Sequence, residues 1–136
     1  MKVKYEETTE YKLWQYIQNA SSDVILREDF IWLDSDRQVT RALNALIKKG
    51  TIAKLGYGIY VRLSYSELTG KNYLPNGFVA VAREALTRLG IRWDISEAEK
   101  SYNSGESQQI PANPATKLLD RFRRTISYRG MELRFE

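Results

Sequence analysis

The sequence has no cysteine and no histidine. Without cysteine there is neither a disulfide nor a thiolate metal site. Without histidine, a Ser-His-Asp triad, a His-ligated zinc and a histidine general base are all excluded within this chain. No run of about eighteen apolar residues occurs, so no membrane span is expected. The opening residues, MKVKYEETTE, lack the apolar core of a signal peptide, and a reduced cytoplasm is the expected compartment. Only Asp/Glu, Lys, Tyr or Ser chemistry remains for catalysis. No pair of carboxylates sits in a motif, and there is no P-loop or dinucleotide fingerprint. Asp34 and Asp36 read as helix-start residues. Neither an enzyme nor a cofactor or metal is expected.

What is present suits a small globular protein. The 136 residues make one domain, or a small domain with an appendage, and 43% hydrophobic content is enough for a core. A net charge of +4 and a pI near 9.3 permit nucleic-acid binding without demanding it. The charge is unevenly spread. Residues 37–66 hold six Lys or Arg and no Asp or Glu.

That run lies inside the stretch 35–63, SDRQVTRALNALIKKGTIAKLGYGIYVRL, which organises the chain. Val39, Ala42, Leu43, Leu46 and Ile47 fall at i, i+3, i+4, i+7 and i+8, one apolar helical stripe. Ser35 is an N-cap, and Gln38 three residues on completes an S-x-x-Q capping box. Asp36 in the first turn and Lys48 and Lys49 in the last suit the helix dipole, and Gly50 stops the helix. The opposite face carries Arg37, Gln38, Thr40, Arg41, Asn44 and Lys48.

Arg pairs with guanine edges, and Asn or Gln with adenine edges, because a forked group meets two base atoms at once. Arg37, Gln38, Arg41 and Asn44 are therefore the candidate base readers. Thr40 and Lys48 are backbone candidates. The alternative is a solvated helix face, with the Gln38 side chain held in the capping box.

Residues 51–55 and 59–63 are strand-like, and Gly56-Tyr57-Gly58 makes the turn between them. Helix, glycine and short hairpin with basic flanks is winged-helix order. Lys54, Tyr57 and Arg62 are then candidates for backbone or minor-groove contact. Tyr57 also reads as a cover for the hairpin, and Ile59 and Val61 as core.

Elsewhere, Thr8 or Thr9 caps a first helix over 10–20, with Leu13, Trp14, Ile17 and Ala20 on its apolar face. Residues 24–26 form a short strand and 27–33 a short second helix with Phe30 and Leu33 inward. Residues 64–76 read as a linker. Residues 78–89 form the next helix, with Arg83, Glu84 and Arg88 toward solvent and Gly90 as its stop. Residues 96–99 open a helical turn, 108–110 suit a strand, and 115–124 fit a short helix or a strand. Residues 125–128 and 131–135 flank Arg129-Gly130 as a closing hairpin. Six cations gather there, Lys117, Arg121, Arg123, Arg124, Arg129 and Arg134, which suits an exposed sheet face or a second nucleic-acid contact.

The expected fold class is α+β: an N-terminal winged helix-turn-helix over 1–65, then a small mixed α/β C-terminal region over 75–136 with a closing β-hairpin.

Several patterns recur in order: V-x-x-A-L-x-x-L-x-x-x-G at 39–50, G-x-G-I-Y-V at 56–61 and A-x-x-A-L-x-x-L-G-I at 82–91. They are followed by Y-N-S-G-x-S-x-Q-I-P at 102–111 and I-S-Y-R-G-x-x-L-R-F at 126–135. On these the chain resembles the antitoxins of the abortive-infection (AbiE) type IV toxin–antitoxin systems. The 102–111 segment is the most specific of them, and by itself it reads as an ordered turn.

The resemblance implies a DNA-binding N-terminal domain that represses its own operon by binding the operator upstream. It also implies a C-terminal part that counters a nucleotidyltransferase-like toxin. Family members continue with a further, mostly helical segment, and the present sequence ends at Glu136. By position, only the helix and wing residues carry over with a role. Because one winged helix reads few base pairs, two copies are expected on DNA, as a homodimer or as monomers at repeated half-sites. A protein-interaction module, or a regulator without antitoxin activity, is the alternative; nine Tyr and three Trp would serve an interface.

Overall fold

The computed structural model describes residues 4, 8–109, 111 and 114–136. The chain is mixed α+β and divides into two compact units, Met1–Gly77 and Phe78–Glu136.

The first unit begins with α1 (Thr9–Asn19), whose first turn is closed by the Thr8 hydroxyl accepting from the Tyr11 amide. Leu13 and Ile17, one turn apart, are its buried residues. Trp14, expected in the core, lies at the surface, 37% exposed, and stacks on Tyr11 at 5.8 Å. It lies one residue off the stripe, and the burial of Leu13 and Ile17 already sets which side of α1 faces in.

Strand β1 (Val24–Leu26) follows, buried throughout. Residues 27–33, expected as a short α-helix, form one 3₁₀ turn (Arg27–Phe30) and then irregular turns. The Asp29 carboxylate accepts from the Leu26 amide at 3.0 Å and holds that tight start. Phe30 is fully buried and meets Tyr16 edge-on.

Helix α2 (Asp36–Lys48) has the expected stripe: Val39, Ala42, Leu43 and Leu46 are buried. They pack with Leu13, Ile17, Ile25, Phe30, Ile52 and Tyr60 in one cluster. Removing a large member such as Leu43 would cost about 2–5 kcal/mol in lost burial and cavity. Gly50, at φ 80, ends the helix. The hairpin β2 (Ile52–Gly56) and β3 (Ile59–Arg62) turns at Tyr57-Gly58. Register shifts at Leu55, which is buried as the extra residue of a bulge. All pairings are antiparallel, and the order β1-β3-β2 places β3 in the middle.

Residues 64–76, read as a linker, instead contain a second antiparallel hairpin, β4 (Ser64–Ser66) and β5 (Lys71–Tyr73). The Ser66 carbonyl accepts from Gly70, whose φ of 69 lets the loop close. The first unit thus reaches Gly77, beyond the expected boundary at 65.

The second unit opens on α3 (Phe78–Arg88), ended by Gly90 at φ 79. Phe78, Val81, Ala82, Ala85 and Leu86 are buried on it, with Ile126 and Leu133 from later in the chain. Strand β6 (Trp93–Ile95), which the sequence reading missed, pairs antiparallel with β7 (Thr116–Leu118). Helix α4 (Glu97–Asn103) starts with a full capping box between Ser96 and Glu99. The hairpin β8 (Ser127–Tyr128) and β9 (Met131–Glu132) closes around Arg129-Gly130 as expected.

Gln108 and Gln109 are irregular rather than a strand, and Ile110 lies outside the described residues. The 102–111 segment continues α4 into a turn, where Gly105 sits at φ 82 and the Ser101 carbonyl accepts from Glu106.

Arg83, expected in solvent, is only 8% exposed. Its guanidinium bonds both Glu99 carboxylate oxygens, the Thr116 hydroxyl and the Ala115 carbonyl. It therefore ties α3 to α4 and β7. A buried cation is tolerable only with its donors satisfied, as here.

Among the described residues, no helix is long and apolar enough to cross a membrane.

Candidate nucleic-acid interface

Helix α2 presents Arg37, Gln38, Thr40, Arg41, Asn44 and Lys48 to solvent, all on the side away from its buried stripe. Ser35 caps the helix by accepting from the Gln38 amide at 3.3 Å. The reciprocal bond from the Gln38 side chain, expected from the capping box, is not made. That leaves the Gln38 amide group on the surface.

In the hairpin, Lys54 is exposed on β2, and Tyr57 at the tip is 80% exposed. Arg62 behaves differently, and the backbone-contact role assigned to it is corrected. Its guanidinium bonds Asp23 through Nε at 3.0 Å and Nη2 at 2.8 Å. Nη1 donates to the Ile17 and Ala20 carbonyls at 2.6 and 3.1 Å. Arg62 thus closes the C-terminal end of α1 and is spent inside the fold. Spacing could not reveal this, because Asp23 lies 39 positions away.

Arg27 is the residue that sequence reasoning passed over. Its amide donates to the Gly58 carbonyl at the hairpin tip, 3.0 Å away. Its guanidinium reaches the Asp36 carbonyl at 2.7 Å and the Asp36 carboxylate at 3.2 Å. One residue so links the tip of the β2–β3 hairpin to the first turn of α2. The available signal was a cation directly after a strand that pairs with the hairpin.

The acid-free run 37–66 is a property of the sequence and not of the surface. At the start of α2, Asp36 is paired with Arg27; at its other end, Glu10 of α1 pairs with Lys49. Asp34 accepts from the Thr9 hydroxyl at 2.6 Å and from the Ser35 amide at 2.7 Å. Those bonds, Thr9 first, hold its carboxyl below the usual range, so it stays charged. A groove of about 330 Å³ runs between the start of α1 and α2, lined by Thr8, Thr9, Glu10, Gln38, Arg41, Ala42 and Ala45. The positive stripe therefore has a mixed N-terminal end. It is most purely basic along Arg37, Arg41 and Lys48, which fall at i, i+4 and i+11.

Comparison of the chain with protein-family models, with curated proteins and with solved structures finds no match.

Proposed function

We propose that the first unit is a winged helix that binds duplex DNA, with α2 in the major groove and the β2–β3 hairpin as the wing. The observation that carries the reading is the order α1, β1, turn, α2, β2, β3 with sheet order β1-β3-β2, which sets an exposed polar helix face beside a hairpin with an exposed cation and aromatic. In this reading Arg37, Gln38, Arg41 and Asn44 read bases. Thr40, Lys48, Lys54 and Tyr57 hold the backbone.

The resemblance to AbiE antitoxins extends the proposal. The protein acts in the cytoplasm as an autorepressor of a toxin–antitoxin operon, paired with a nucleotidyltransferase-like toxin. Binding to the DNA upstream of its own gene, measured across a salt series, tests the first part. Affinity should fall steeply with salt, because each neutralised phosphate releases condensed counterion. A salt-independent affinity, or none, would remove the DNA reading. Rescue of growth on co-expression with a neighbouring toxin tests the second.

One observation favours a second reading, a protein-interaction module. Ile31 and Trp32, in the turn before α2, are 76% and 69% exposed. Large apolar side chains in such a turn suit a protein contact. Co-purification with a partner in the absence of DNA affinity would favour it.

A further inference from the structure

In the second unit, two Arg-Phe steps on either side of the β8–β9 hairpin are brought together. Residues 121–124 read Arg-Phe-Arg-Arg and residues 134–135 read Arg-Phe. The Phe122 and Phe135 rings meet edge-to-face with centroids 6.0 Å apart. Each ring keeps part of its surface in solvent.

The backbone explains the meeting. The Thr116 amide donates to the Arg134 carbonyl at 2.8 Å, and the Leu133 amide to the Ile126 carbonyl at 2.9 Å. These bonds lay the last residues beside both β7 and the stretch that precedes β8. Residues 121–126 have no partnered strand or helix of their own and run as a bare segment.

Arg121, Arg123 and Arg134 are exposed and make no ion pair among the described residues. Arg124 lies 5.4 Å over the Phe122 ring. At the β8–β9 tip, Arg129 lies over Tyr128 at 5.2 Å. The nearest acid in sequence, Asp120, is taken up by Arg92 through a bidentate pair and the Arg92 amide. Glu132 in β9 is the one exposed acid between Arg121 and Arg134.

We propose that this cluster binds single-stranded nucleic acid, with Arg121, Arg123 and Arg134 on phosphates and the Phe122–Phe135 pair as a platform for an unstacked base. A duplex keeps its bases stacked and offers no face to a ring, whereas a single strand offers one per nucleotide. No helix in the cluster could enter a major groove. The proposal stands apart from the duplex reading of the first unit, since no residue is shared.

The test uses the full chain and fluorescence anisotropy with oligo(dT) and oligo(U) of about twelve nucleotides, within the usual span of such sites. The chain with Arg37→Ala and Arg41→Ala should bind both probes as wild type does. The chain with Arg121→Gln, Arg123→Gln and Arg134→Gln should bind them at least about tenfold more weakly, with a salt slope shallower by about 2. These cations are exposed and unpaired, so the triple variant should keep its melting temperature. Phe122→Leu should lose about fivefold or more and Phe122→Tyr should not, because tyrosine retains the ring.

Undiminished binding by the triple variant would overturn the assignment. So would loss of binding in the α2 variant, equal competition by a duplex of the same length, or binding to phosphatidylserine vesicles in place of oligonucleotide. A probe preference for oligo(U) over oligo(dT), or the reverse, names the strand and supports the site either way.

Discussion

Gly50 and Asn72 lie against one another: a Cβ added to Gly50 would collide with the Asn72 side-chain amide. Gly50 also holds a φ of 80, which L side chains rarely adopt. One glycine thus ends α2 and makes room for the second hairpin beside it. Gly50→Ala should destabilise the first unit by roughly 1–3 kcal/mol, read by urea denaturation. Asn72→Ala in the same chain should return the collision's share and leave the cost of the backbone conformation. A double-mutant cycle that shows no coupling would mean that the Asn72 side chain swings aside and only the backbone conformation is costly.

Arg62 gives a second outcome, because its role is internal. Arg62→Ala leaves Asp23 with the Asn76 amide but no counter-charge, takes a donor from the Ile17 and Ala20 carbonyls, and should cost about 2–3 kcal/mol. That figure is set below the fully buried case because the pair keeps about a fifth of its surface in water. Melting temperature should fall. Duplex affinity, measured where the variant is still folded, should not. A salt slope reduced by about 1 would restore Arg62 as a phosphate contact.

If α2 reads DNA as proposed, Arg41→Ala should weaken duplex binding by roughly 1–3 kcal/mol and relax preference at one position. Lys54→Ala should weaken all duplexes alike and lower the salt slope by about 1. Both side chains are exposed, so neither change should move the melting temperature. An unchanged binding curve for Arg41→Ala would take that residue out of the reading set.

Arg83 should be the most sensitive cation in the second unit. Arg83→Ala leaves Glu99 with its Ser96 bonds but without its counter-charge. It should cost about 3 kcal/mol or more. Arg83→Lys keeps the charge but not the fork that spans Glu99 and Thr116, and should recover only part. Thermal unfolding followed by the Trp93 environment, 5.1 Å from the guanidinium, would read the change. A loss no greater than that of an exposed arginine would refute the network's role.

Acid stability should carry the mark of Asp120. Hydrogen bonds from the Arg92 side chain, then from its amide, lower the carboxyl from an ordinary 3.8 to about 2. A depressed folded-state value stabilises the fold above the unfolded value. That stabilisation fades as pH falls from about 4 toward 2. Asp120→Asn should therefore lower stability at neutral pH and match wild type near pH 2. Parallel pH profiles for the two chains would show the pair to be without consequence.

The sequence alone carried those elements whose signal is local. The α2 stripe, the Ser35 cap, the Gly50 stop and the hairpin turns at Gly58 and Gly130 need only residues a few positions apart, and spacing and φ preference reveal them. So does the exposed face of α2, the complement of its buried stripe. Tertiary structure decided what depends on distant partners. Arg62 and Arg83 read as surface cations until Asp23 and Glu99 are brought to them. The 64–76 stretch read as a linker because its short strands lack a long apolar run. The carboxylates beside α2 are Asp34 and Asp36 at its start and Glu10 of α1 at its end, so a count along 37–66 missed them. Charge pairing acts through space over a few ångströms, whatever the separation along the chain, and only the fold says which charges meet.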